Sequence, residues 1–112
     1  DMTDAVIYRE TIVRERLTEI AAKYPQLEAT VRGKGMINGL HIPAQNFCSE
    51  VSKEAFSRGL IIELAGANDD VLKLLPPLII EEEVLRAGLI IIDESIGAVL
   101  EKIESLVTGN GS

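Results

Sequence analysis

The chain has 112 residues, of which 46% are hydrophobic, 4% aromatic and none tryptophan. A chain of that length suits one domain around one core, and the core must rely on aliphatic side chains. With 18 acidic against 11 basic residues, a formal charge of −7, no basic run and no aromatic platform, the composition excludes a nucleic-acid partner.

Residues 3–23 place Val6, Val13, Leu17 and Ile20 near one helical face, which predicts a first helix. Thr3 is the candidate cap, and Pro25 disfavours helical geometry at Tyr24, where the helix should stop. Arg9, Glu10, Arg14, Glu15, Arg16 and Glu19 line the other face. Glu10 and Arg14 form a favourable i,i+4 pair, and the charge run reads as a solvated surface.

Residues 28–32 and 36–42 are short β-prone stretches around Gly33-Lys34-Gly35, where glycine permits a turn or bulge. Residues 46–58 gather Phe47, Val51, Ala55 and Cys48 on one side, with Asn46 as candidate cap and Gly59 just past the end. That pattern predicts a second helix. Residues 60–64 and 71–74 form two further strands, antiparallel across the turn residues Gly66, Asn68, Asp69 and Asp70. Pro76 and Pro77 cannot donate ladder hydrogen bonds, so the sheet should end near Leu75.

A last helix is expected from about Glu81, with Glu81, Glu82 and Glu83 at its positive end and Ile80 a weak N-cap. Leu85, Leu89, Ile92, Ile96, Val99, Leu100 and Ile103 continue the apolar series. The run 89–92 is wider than one helical face, so part of it should meet a partner surface. The order α-β-β-α-β-β-α gives an α+β fold. It is a two-layer small domain with a mostly antiparallel sheet of three or four strands packed by helices.

The longest apolar runs, 74–80 and 87–92, are far short of the roughly 20 residues that span a bilayer, so no membrane segment is expected. The N-terminus lacks the basic start and apolar run of a secretory signal. A single Cys48 forms no internal disulfide. Together these features point to a cytoplasmic protein.

Several motifs invite chemistry and fail its requirements. Gly33-Lys34-Gly35 lacks the G-x₄-G-K-[ST] spacing of a phosphate loop, because Lys34 is followed by Gly35 where a hydroxyl should stand. His41 and Cys48 are the sole imidazole and thiol, and no third group orients them as a nucleophilic pair. One His and one Cys do not make a zinc spacing, and Glu81-Glu82-Glu83 reads as dipole compensation rather than a calcium site. No metal ligands are assigned.

Residues 59–104 form an apolar strand, a turn, a second strand ending in Pro-Pro and an amphipathic helix. They resemble the C-terminal end of the class III, ornithine-aminotransferase-like family of pyridoxal-phosphate (PLP) enzymes. Upstream, Val31-Arg32-Gly33-Lys34-Gly35-Met36-Ile37-Asn38-Gly39-Leu40 is similar to that family's R-G-x-G-(hydrophobic)₂-x-G segment. The resemblance runs from about Arg9 to Leu106. The G-L-I-I-E-x-x-G and V-x-K-x-x-P-P-L wording is most similar to the diaminobutyrate:2-oxoglutarate branch.

The resemblance implies that residues 1–107 are the C-terminal small domain of a fold-type I aminotransferase, followed by a disordered tail at 108–112. The reaction implied is transfer of an ω-amino group, that of diaminobutyrate, to 2-oxoglutarate. The partners implied are a large PLP-binding domain of the same polypeptide and a homo-oligomer. PLP chemistry needs a Schiff-base lysine, an acidic partner for the ring nitrogen and a phosphate cup. Lys23, Lys34, Lys53, Lys73 and Lys102 lie in contexts unlike the family's Schiff-base segment. The resemblance therefore assigns no catalytic or cofactor-binding residue here, and the chain alone is expected to be inactive and to hold no PLP. The alternative is a free-standing interaction or dimerisation module with the same fold.

Lys73 is the one candidate substrate-binding residue. One reading makes it an edge-strand lysine that faces solvent and discourages edge pairing. The other follows from the resemblance, in which this position, usually Arg in the form R-x-x-P-P-L, projects into the active site. There it pairs with a glutamate of the large domain or meets a substrate carboxylate. Lysine at this position lacks the fork that engages a carboxylate bidentately.

Overall fold

The computed structural model describes residues 2–34, 37–74 and 81–107. Helix α1 (Met2–Lys23) leads through a 3-10 turn (Pro25–Leu27) into strands β1 (Thr30–Lys34) and β2 (Ile37–His41). Helix α2 (Phe47–Ser57), strands β3 (Glu63–Ala65) and β4 (Val71–Leu74) and helix α3 (Glu82–Val107) follow. The fold is α+β, as the sequence predicts, and all four strands pair antiparallel in the order β1-β2-β4-β3.

Strand period and burial decide the layers. Val31, Leu40, Leu72 and Leu64 stand side by side across the four strands, and Leu40 and Leu72 are fully buried. Val13, Leu17 and Ile20 of α1, Val51 and Ala55 of α2, and Leu89, Ile92 and Ile96 of α3 bury in the same core. All three helices therefore lie on one face of the sheet. Because side chains alternate along a strand, the next row, Arg32, Gly39, Lys73 and Glu63, belongs to the opposite face.

Several boundaries move for local reasons. Thr3 lies inside α1 rather than capping it, since the helix already includes Met2. Strand β1 starts at Thr30 rather than residue 28, because Glu28 takes a left-handed conformation (φ 53°, ψ 39°) and its N–H closes the 3-10 turn on the Pro25 carbonyl. Strand β3 spans 63–65 rather than 60–64. Leu60 N–H is spent on the Ala55 carbonyl at 2.9 Å, and the Ile62 carbonyl accepts from Ser52 Oγ at 3.2 Å, so α2 holds this segment. Asn46 sits at the start of α2 in a left-handed conformation, yet its side chain makes no capping bond. Its carbonyl accepts from Glu50 N–H instead. The expectations for Leu75, Pro76, Pro77 and Ile80 and for the 108–112 tail fall outside the described residues.

The apolar faces also need correction. Ile12 is buried in α1, while Val6 is only half-buried. In α3 the buried stripe ends at Val99, and Ile103 is 42% exposed. Leu89 and Ile92 are buried but Ile90 is 50% exposed, as the excess width of the 89–92 run requires.

A polar clamp fixes α1 against α3. Asp93 accepts from the Tyr24 hydroxyl at 2.6 Å and from Lys23 Nζ at 3.0 Å, with Arg16 at 3.7 Å. Burial opposes the Asp93 charge. The hydrogen bonds from Tyr24 and Lys23, together with the Lys23 and Arg16 charges, outweigh it and hold the carboxyl below its ordinary range. Burial and the bond to Asp93 push the Tyr24 hydroxyl up.

A carboxylate depressed in the folded state contributes stability above its unfolded pKa and loses that contribution as pH falls through the folded one. Urea midpoints measured between about pH 7 and about pH 3 should therefore fall more steeply in the parent than in Asp93→Asn. Asp93→Asn should already be the weaker protein at neutral pH. Parallel pH profiles for the two proteins would show that the clamp does not stabilise the fold.

A candidate substrate-facing site on the open sheet face

Lys73 lies in β4, between β2 and β3, so it is not an edge-strand residue. The expectation that it guards a sheet edge is corrected by the strand order, which sequence spacing does not reveal. Its side chain is 35% exposed, and Nζ stands 3.8 Å from Oε1 of Glu63, directly opposite on β3. That separation is too long for a hydrogen bond, and an exposed pair at this range contributes little. Lys73 is a cation held on the open face with its hydrogen-bonding capacity largely unspent.

Gly39 occupies the β2 position between Arg32 and Lys73. A Cβ there would meet Val71 Cγ1 at 2.8 Å and the Leu72 carbonyl at 3.1 Å. The glycine is thus required by close approach, and the Val71 side chain fills the space above it. Behind this row, on the helix side, Asn38 is fully buried beside Leu74. Arg14 reaches from α1 to donate to Asn38 Oδ1 at 3.0 Å and to the Gly33 carbonyl at 3.3 Å. Arg14 therefore braces the β1–β2 hairpin and does not serve the expected pairing with Glu10. Asn38 Nδ2 is buried with no partner.

The remaining sequence candidates resolve into structure. His41 Nε2 lies 3.0 Å from Asp70 Oδ2, tying the end of β2 to the β3–β4 turn. Cys48 is buried, and that burial pushes its thiol up to about 11, with a backbone hydrogen bond from Ile42 opposing and the Asp70 charge adding to the rise. Such a thiol is not a nucleophile at neutral pH. Among the described residues no His, Cys, Asp and Glu group is arranged to hold a metal. No helix among them is long and apolar enough to cross a membrane.

Residues 2–96 match the family model for class-III aminotransferases, and the chain belongs to that family. It is 51% identical over 100 residues to a diaminobutyrate–2-oxoglutarate transaminase of Wolinella succinogenes, covering 89% of this chain and 23% of that one. It is 46% identical over 92 residues to a protein of the same name from Oceanobacillus iheyensis, covering 82% and 22%. Among solved structures, lysine aminotransferase from M. tuberculosis superposes with a TM-score of 0.79 at 23% identity, covering 88% of this chain and 22% of that one. N-acetylornithine aminotransferase from Stenotrophomonas maltophilia K279a superposes at 0.77 and 23% identity, covering 90% and 28%. The chain thus spans about a quarter of the length of these relatives.

The family's cofactor is PLP, and the described residues do not fit it. Lys23 is engaged by Asp93 and Lys102 by Glu54 at 3.0 Å. Lys53 is exposed on α2, the Lys34 side chain lies outside the described set, and Lys73 stands on the open sheet. A cavity of about 440 Å³ near the β3–β4 turn is lined by Asn46, Asn68, Asp69 and Asp70 among others. Its carboxylates repel a phosphate.

The close approach at Gly39 gives a direct test of the sheet's architecture. Gly39→Ala must separate β2 from β4 or displace Val71, an overpacking cost of about 1–3 kcal/mol. Thermal or urea unfolding should register that loss, and Val71→Ala in the same chain should recover part of it. An unchanged midpoint for Gly39→Ala would mean that the strands are not in such close approach.

Proposed function

We propose that this chain is the C-terminal small domain of a PLP-dependent aminotransferase that transfers the terminal amino group of diaminobutyrate to 2-oxoglutarate. The observation that carries the reading is the 51% identity to a diaminobutyrate–2-oxoglutarate transaminase over a segment that makes up 23% of that relative. In the intact polypeptide the PLP, its Schiff-base lysine and its phosphate cup belong to a large domain, and this domain lies against it. The domain unit is residues 1–107, with 108–112 as a tail, and the assembled enzyme works as a homo-oligomer in the cytoplasm.

The role of this chain is to close one side of the substrate site and present Lys73 to a carboxylate of the acceptor. Positioning groups and water-excluding domains contribute to rate in this way without touching the reacting bond. Lys73 supports the reading by standing on the sheet face that the helices leave open, with only a long contact to Glu63. Ile61, Phe56 and Ile90, at 79%, 68% and 50% exposed, supply apolar surface of the kind that a neighbouring domain covers.

The chain alone should fold and show no turnover of diaminobutyrate. After incubation with PLP and borohydride, its lysines should be labelled weakly and without preference. In the full-length polypeptide, Lys73→Ala should raise the KM for 2-oxoglutarate more than that for the amino donor, because a lost cationic contact weakens carboxylate binding. In the isolated chain the same change should shift stability by no more than about 0.5 kcal/mol. Stoichiometric labelling of one lysine with turnover by the isolated chain, or untouched acceptor kinetics in Lys73→Ala, would contradict the assignment. The second outcome would make Lys73 a solvent-facing lysine and leave this chain with no substrate-binding residue.

A further inference from the structure

We draw no further inference here: the strongest candidate, the exposed apolar face of Ile103, Leu106 and Val107 at the C-terminal end of α3, carries no proposal because nothing in the structure shows what covers it.

Discussion

Burial of the Val31–Leu40–Leu72–Leu64 row beneath three helices is the constraint from which the rest of the molecule follows. With side chains alternating at every residue, a sheet covered on one side has no freedom about what its other side displays. Slipping β4 by one residue would turn Leu72 outward and Lys73 into an apolar core, at the cost of desolvating an ammonium without a partner. The position of Lys73 on the open face is therefore guaranteed by Leu72, which is fully buried. Arg32 is placed on the same face in the same way by Val31, one strand beyond Gly39.

The polar interactions sharpen this arrangement rather than create it. The clamp of Tyr24, Lys23 and Arg16 on Asp93 sets α1 against α3, and Arg14 ties α1 to the β1–β2 hairpin through Asn38 and Gly33. These contacts act at the rim of an aliphatic core, with Asn38 and Ser95 its buried polar members. The ion pairs that link α2 to α3, Glu54 with Lys102 and Arg58 with Glu94, are more exposed and contribute correspondingly less. What fixes the open face is apolar burial, and the polar bridges keep the helices from sliding over it.

The helices were the most legible part of the sequence, because a period of 3.6 repeated over Val13, Leu17 and Ile20, or Leu85, Leu89, Ile92, Ile96 and Val99, has no other structural explanation. Strand existence was legible as well, but strand limits depended on competing backbone bonds, such as Leu60 N–H to the Ala55 carbonyl, that no local pattern announces. The strand order was not legible. Sequence places β3 and β4 together across a turn, yet nothing local says that β4 inserts between β3 and β2, and so Lys73 looked like an edge residue. Arg32 was visible as part of the R-G-x-G segment, but its relation to Lys73 exists only in the register through Gly39. Arg14 looked solvated for the same reason, since its partners lie 19 and 24 residues away.

The central claim is that the sheet face carrying Lys73 is turned toward a bound acceptor. A crystal structure of the full-length polypeptide with 2-oxoglutarate or glutarate bound addresses it directly. The account predicts an acceptor carboxylate within about 3 Å of Lys73 Nζ, the length of a charged hydrogen bond, with the helices α1, α2 and α3 on the far side of the sheet from the ligand. An acceptor bound elsewhere, with this face turned to bulk solvent or packed against side chains that hold no ligand, would contradict it.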